Sequence, residues 1–173
     1  IGYENAIRSH FRAMDIMHTA EPNTIATEGW LAKAIRQIDP HGQNVLTGVS
    51  FGRGLPRAMA APGVRVTSVG DLDSYGLMTS VEIKEDRAEA MDIFKRFYTP
   101  GIGSGPTMAY LKQTGDDVLT GIDRLQEVPG QYESTVEYED NGLAKALRDV
   151  ARTHIAGLGT QIFYVQHPGY DHH

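Results

Sequence analysis

The 173-residue sequence has no cysteine, no long apolar run and no cluster of basic residues. Without cysteine there is no disulfide and no thiolate metal site, so a metal ion would need histidine and carboxylate ligands. No apolar stretch approaches the ~20 residues of a membrane span, and no charged start followed by an apolar core indicates a signal peptide. We therefore expect no membrane span.

Positively charged residues are also fewer than negatively charged ones. Sixteen Lys and Arg residues stand against 22 Asp and Glu residues, which gives a formal net charge of −6. Because the basic residues are scattered along the chain, the sequence lacks the electrostatic footprint of a nucleic-acid-binding protein. We expect no nucleic-acid partner.

The length and a hydrophobic fraction of 40% predict one core, so residues 1–173 are interpreted as a single α/β domain or part of one. The chain opens with Ile1 rather than Met and stops at His173 without a polar tail. This favours a fragment or processed form of a larger domain.

Helical and strand patterns alternate along the chain. Helical spacing predicts a helix just after Ser9 and further helices in EGWLAKAIRQI, LPRAMA, EDRAEAMDIFKRFY, TMAYLKQTGDDVLTGIDRLQ and LAKALRDVARTHIAGLG. Strands are predicted in NVLTGVSFG, VRVTSVG and TQIFYV, the last of them buried. The alternation predicts a layered α/β sandwich with a largely parallel sheet, in which ligands gather at the C-terminal ends of the strands.

Apolar spacing also predicts which face of two helices is buried. In EGWLAKAIRQI one stripe holds Trp30, Ala34 and Ile38, with Leu31 and Ile35 beside it. In the last helix the predicted stripe runs through Leu143, Leu147, Val150, His154 or Ile155, and Leu158. His154 would then be a core histidine with its hydrogen bonds satisfied rather than a ligand.

The chain ends in YVQHPGYDHH, directly after the TQIFYV strand. Asp171 and His173 are two residues apart, so on an extended segment both side chains point the same way and could reach one divalent ion. Zinc in a catalytic site takes at least three protein ligands, and His167 and His172 are nearby candidates. The alternative is a terminal histidine pair without function, such as the residue of a purification tag.

Ser9, with Arg8 and His10 beside it, is a second candidate site. At a helix N-terminus the dipole and the free N–H groups favour an anion, so the Ser9 hydroxyl could bind or attack a phosphate or sulfate. Serine is equally one of the commonest N-cap residues, which is the simpler interpretation.

Three further motifs are weaker candidates for a functional site. SFGRGLP offers Arg53 to an anion but lacks the glycine spacing of a phosphate loop, so we interpret it as a tight connection. GIGSGP at residues 101–106 is interpreted as a loop. Asp71 and Asp73 in VGDLDSYG could bind calcium or simply form an exposed turn.

Segments at both ends of the chain resemble one family. GYENAIRSHFRAMDIMHTAEP followed by GWLAKAI resembles the Arg-Ser-His-Phe and Gly-Trp-Leu segments of the bacterial family known as domain of unknown function 1501. The ending resembles that family's helix, strand and Gly-Phe-Asp-Thr-His motif, with Tyr170 for Phe and His172 for Thr. The matches occur in the same order as in the family.

The resemblance implies an alkaline phosphatase-like fold and export by the twin-arginine route, to the periplasm or outside the cell. It implies a metal-dependent hydrolase acting on small anionic esters of phosphate or sulfate, with Asp171 and His173 as ligands of zinc, manganese, iron or calcium. Ser9 would be the nucleophile or anion contact, assisted by Arg8 and His10. The family's Ser-Glu-Phe-Gly and Asp-His-Gly segments, which should supply further ligands, are absent from these 173 residues.

Two other functions stay open. One is a non-catalytic exported binding or structural protein on the same fold. The other is a metal-free serine esterase using Ser9 and a histidine, which is less favoured because the Gly-x-Ser-x-Gly elbow is missing.

Overall fold

A computed structural model describes residues 4, 8–76, 84–97 and 105–169 of the chain. Three strands form one sheet in the order β2-β1-β3: β1 (Gly48–Phe51), β2 (Thr67–Val69) and β3 (Ile162–Val165). Both neighbours pair with β1 in parallel, with Val49 opposite Thr67 on one side and Phe163 on the other. The described chain is therefore a mixed α/β structure with a small open parallel sheet.

The described part of the chain also contains six α-helices and one 3₁₀ helix. Their bounds are α1 His10–Thr19, α2 Trp30–Ile38, the 3₁₀ helix Arg57–Met59, α3 Lys84–Phe97, α4 Pro106–Leu125, α5 Val128–Gln131 and α6 Gly142–Ile155. All three predicted strands and the predicted helices are present, though the strands are shorter than their sequence patterns. The one-turn helix α5 was not predicted, because VPGQ is too short to show any periodicity.

The two faces of β1 pack against different helices. Successive side chains of a strand point to opposite faces. A Cβ at Gly48 would meet Ile35 of α2 and Met59 of the 3₁₀ helix. Val49 and Phe51 belong to the larger core on the other face, which includes Leu125 of α4 and Val128 of α5. The sheet is thus covered on both sides, as expected of a parallel sheet.

A polar cluster closes the end of the sheet where β1 begins. The side chain of Asn44 donates from Nδ2 to the Leu158 carbonyl (3.0 Å) and accepts at Oδ1 from the Leu46 N–H (3.1 Å) and from Arg124 (2.6 Å). Arg124 also donates to the Leu158 carbonyl (3.0 Å). These bonds connect the start of β1, the end of α4 and the turn between α6 and β3.

Both predicted apolar faces are correct only in part. In α2 Ile35 is buried as expected, together with Ala32, while Trp30 and Ile38 are about half exposed. In α6 the buried residues are Asp149 and Thr153, while Leu147 and Ile155 are about half exposed. Val150 and Leu158 of the predicted stripe do pack against the core, but the most buried side chains of α6 are the polar Asp149 and Thr153.

Two smaller expectations at this end of the chain were also wrong. His154 is exposed and packs edge to face on Phe163, with ring centroids 6.3 Å apart, instead of lying in the core. Strand β3 is half-buried rather than fully buried, because it forms an edge of the described sheet.

No helix in the described ranges is both long enough and apolar enough to cross a membrane, consistent with the expectation from the sequence. The predicted loop at residues 101–106 falls mostly outside the described residues.

Gly29 is required by a close approach of two backbones. It precedes α2, its N–H donates to the Ala60 carbonyl (2.9 Å), and a Cβ there would overlap the carbonyl oxygens of Arg57 and Ala58. We expect Gly29→Ala to lower the free energy of unfolding by about 1–3 kcal/mol, because the 3₁₀ helix must move away. Chemical denaturation measures this change.

Gly130→Ala is the matched control, since a Cβ at Gly130 in α5 meets nothing within 4 Å. We expect it to leave stability within about 1 kcal/mol of the parent protein. Equal destabilisation by the two substitutions would contradict the close approach at Gly29.

Candidate functional site

A cleft of about 740 Å³ lies at the C-terminal ends of the strands. It is lined by Phe51–Arg53 after β1, by Gly70 after β2 and by Gln166–Pro168 after β3, together with the first two turns of α6. The chain runs from β1 to β2 on one side and later returns to β3 on the other side. Open parallel sheets bind ligands at such a switch point, and the volume suits a small molecule.

Arg53 is held at the mouth of this cleft by an anchored loop. The Gly52 N–H donates to the Val69 carbonyl (2.9 Å), and the Ser68 hydroxyl donates to the Gly54 carbonyl (2.9 Å). Gly54 has a φ of +76°, a left-handed conformation that favours glycine. Arg53 itself is exposed and makes no hydrogen bond or ion pair with any described residue.

The N-terminus of α6 supplies backbone donors to the same cleft. Asn141 caps the helix, and its side chain accepts from the Ala144 N–H (2.8 Å). The N–H groups of Gly142 and Leu143, at the first two helical positions, have no partner within the helix. Both residues line the cleft, so the positive end of the helix dipole is placed beside it.

Asp149 contributes a buried carboxylate to the cleft lining. Its side chain is 3% exposed, and Oδ2 accepts from the Leu72 N–H (3.3 Å). Oδ1 has no hydrogen-bond partner among the described residues; Arg148 Nε and Arg152 Nη1 lie 3.7 and 3.6 Å away. The pKa of Asp149 is raised because burial disfavours the charged form, an effect that the Leu72 N–H and Arg148 oppose.

The loop after β2 is fixed to α6 by ion pairs. Asp71 pairs with Lys145, and Asp73 pairs with Arg148 (2.9 Å) and Arg152 (2.7 Å). Asp71 Oδ1 also accepts from the N–H groups of Asp73 and Ser74, which forms a turn. Of the two interpretations of VGDLDSYG, the structure favours the turn over a calcium site, because arginine and lysine side chains occupy the carboxylates.

The structure places Ser9 in a different hollow. Ser9 caps α1 as predicted, and its hydroxyl accepts from the Arg12 N–H (3.3 Å). The hollow, about 570 Å³, is also lined by Asp15, which pairs with Arg12 (3.1 Å) and Arg57. Neither Ser9 nor its neighbours Arg8 and His10, both exposed, lines the strand-end cleft.

The predicted metal ligands Asp171 and His173 lie outside the described residues, as does His172. Within the described ranges, no group of three or more His, Asp and Glu side chains is arranged to hold a metal ion. His167, the nearby candidate, lines the cleft.

Sequence reasoning missed Asp149 and Lys145. Both lie in the segment LAKALRDVART, where only the apolar residues were used to predict the inward face. The available signal was Asp149 directly after Arg148 and three residues before Arg152, a pattern that suits a paired buried carboxylate.

No family model, curated protein or solved structure matches this chain.

The ion pair between Asp71 and Lys145 makes stability depend on pH. The hydrogen bond from Lys145 is the main cause that holds the pKa of Asp71 below its ordinary value. A lowered carboxyl pKa stabilises the fold above the unfolded value of about 4 and loses that contribution as the pH falls through the folded pKa. We therefore expect Lys145→Gln to flatten the decline in unfolding free energy between about pH 5 and pH 3.

The measurement is urea denaturation across that pH range. Lys112→Gln is the control, because Lys112 forms only an exposed pair with Asp116 one turn along α4. A decline as steep in Lys145→Gln as in the parent protein would show that this ion pair does not act on stability.

Proposed function

We propose that this protein binds a small anionic ester of phosphate or sulfate in the strand-end cleft and hydrolyses it with the help of a divalent metal ion. The binding half of the proposal depends on one observation above all. Arg53 is a cation without a partner among the described residues, held at the end of the central strand in a cleft of small-molecule size.

The surroundings of Arg53 support an anionic ligand. An arginine without a carboxylate partner keeps its full charge and its paired N–H donors for phosphate or sulfate oxygens. Gly142 and Leu143 line the same cleft, and their N–H groups, which have no partner within the helix, are donors of the kind that bind oxyanions at helix N-termini. Lys145 lines the cleft too, but Asp71 neutralises it.

The hydrolytic half of the proposal rests on the resemblance to the domain of unknown function 1501 family. The described carboxylates do not fit a metal ion, because Asp71, Asp73 and Asp149 each lie beside lysine or arginine side chains. The resemblance assigns the metal to Asp171 and His173 instead. Pro168, three residues before Asp171 in the sequence, lines the cleft.

A second candidate is a non-catalytic exported binding protein on the same fold. One observation favours it: Ser9, the proposed nucleophile, lines a hollow other than the one that contains Arg53. This protein would bind the anion without turning it over. From the same resemblance we propose, for either candidate, an alkaline phosphatase-like fold and export to the periplasm or the cell exterior.

Loss of Arg53 tests the binding site. We expect Arg53→Ala to weaken binding of inorganic phosphate or sulfate about tenfold or more, because a charge-assisted hydrogen bond is lost from a site with few donors. Isothermal titration calorimetry measures the affinity.

Arg96→Ala is the matched control, since Arg96 is an exposed arginine of α3 paired with Asp92 and does not line the cleft. Unchanged affinity in Arg53→Ala, or an equal loss in both variants, would exclude the strand-end cleft as the anion site.

Metal removal tests the reaction. We expect the protein purified without chelator to contain a divalent ion, and turnover of an aryl phosphate or sulfate to stop when a chelator removes it. Asp171→Asn should lower metal affinity, whereas Asp140→Asn, a change of an exposed aspartate before α6, should not.

Mass spectrometry of bound metals and a chelator titration of activity make these measurements. Anion binding without metal or turnover would favour the non-catalytic candidate. Chelator-resistant ester cleavage would instead favour the serine esterase.

A further inference from the structure

We propose that the ester bound in the strand-end cleft carries an aryl or bulky alkyl group, which packs on Leu143 while the anionic group binds beside Arg53. The inference rests on the proposed function, because it names the class of ester that the same cleft takes. It adds Leu143, a residue that determines specificity, to a site described so far by its hydrogen-bond donors.

The size of the cleft is the first observation. Its volume of about 740 Å³ lies in the range of about 300–1,000 Å³ that is typical of pockets for drug-sized molecules. A phosphate or sulfate group occupies only a small part of that space. Most of the cleft is therefore available to the organic part of an ester, and the lining residues decide which organic groups fit.

The apolar residues of the lining are the second observation. Leu143 and Ala146 of α6 both line the cleft, and because they are three residues apart they share one face of the helix. Phe51 at the end of β1 and Pro168 after β3 line it as well. Apolar residues are thus contributed both by α6 and by the strand ends, and an apolar group placed among them is removed from water.

Leu143 is an apolar residue that the core leaves available. Ala146 and Val150 of α6 pack against the core, whereas Leu143 is not among the described residues that do so, and it is partly exposed. An apolar ligand that covers this side chain removes its remaining surface from water, which favours binding in proportion to the area buried. Because Leu143 is not a core residue, we expect its replacement to leave the fold intact.

The charges of the lining locate the anionic end of the ester. Of the lysine and arginine side chains that line the cleft, Lys145 is paired with Asp71, whereas Arg53 makes no hydrogen bond or ion pair with any described residue. One available cation matches one anionic group. The apolar residues of α6 are then left to the organic part of the ester.

The test compares binding of methylphosphonate and phenylphosphonate to the protein purified without chelator, by isothermal titration calorimetry at about pH 8.5. Both are mainly dianions at that pH, and neither has an ester bond to hydrolyse, so they differ chiefly in the size of the apolar group. We expect phenylphosphonate to bind on the order of tenfold more tightly, because its ring buries apolar area that a methyl group cannot.

Replacement of Leu143 tests the contact itself. Leu143→Gln keeps a side chain of similar length but makes it polar, so the preference for phenylphosphonate should fall about threefold or more, while methylphosphonate binds within about twofold of the parent affinity. Leu147→Gln is the matched control, because it is the same change one turn along α6 at a residue that is 46% exposed and does not line the cleft. It should keep the parent preference.

Equal affinities for the two phosphonates in the parent protein, or weaker binding of phenylphosphonate, would overturn the inference while leaving the anion site in place. A preference that persists in folded Leu143→Gln, or that falls equally in Leu147→Gln, would overturn the role of Leu143. If neither phosphonate binds, the proposed function fails together with this inference. Circular dichroism checks the fold of each variant, and if Leu143→Gln does not fold, the ratio in the parent protein decides.

Discussion

The geometry of the strand-end cleft depends on the hydrogen bond that the buried carboxylate of Asp149 accepts. This carboxylate accepts the N–H of Leu72, a fully buried residue just after β2, and so fixes helix α6 to the end of the sheet. Ion pairs from α6 to Asp71 and Asp73 reinforce the same junction from the surface side. Because the first turn of α6 forms one wall of the cleft, the junction sets where that turn lies relative to Arg53.

The distribution of positive charge singles out the cleft among the described surfaces. Of the lysine and arginine side chains that the structure describes, all but Arg8 and Arg53 have a hydrogen-bond or ion-pair partner. In a protein with a net negative charge, few cationic side chains remain unpaired and able to bind an anion. Arg53 is such an unpaired arginine, and it lies in a concave site beside a helix N-terminus. Arg8 lies outside both the cleft and the hollow around Ser9.

Much of the fold could be predicted from the sequence, because alternating helical and β-branched patterns are local signals. The Ser9 cap, the start of α1 and all three strands were predicted in this way. The inward face of α6 could not be predicted, because it holds the polar residues Asp149 and Thr153, and the partner of Asp149, Leu72, is 77 residues away in the chain. For the same reason, the position of the cleft at the strand ends could be anticipated, but the residues that line it could not.

The site predicted from the sequence corresponds only partly to the cleft. The rule that ligands bind at the ends of parallel strands points to the edge of the sheet where the cleft lies, and Arg53 was noted as available to an anion. Ser9, the second candidate, does not line that cleft, because α1 packs on the 3₁₀ helix and Ser9 lines a hollow with Arg57. A helix cap is a local feature, whereas the place of the helix on the sheet depends on contacts that the local pattern does not contain.

The central claim is that an oxyanion binds at the strand ends beside Arg53. A crystal structure of the protein soaked with tungstate, a phosphate-shaped anion located by its anomalous scattering, tests this claim most directly. We expect one well-occupied site between the Arg53 guanidinium and the N–H groups of Gly142 and Leu143. Tungstate bound instead in the hollow around Ser9, or absent from the strand-end cleft, would contradict it.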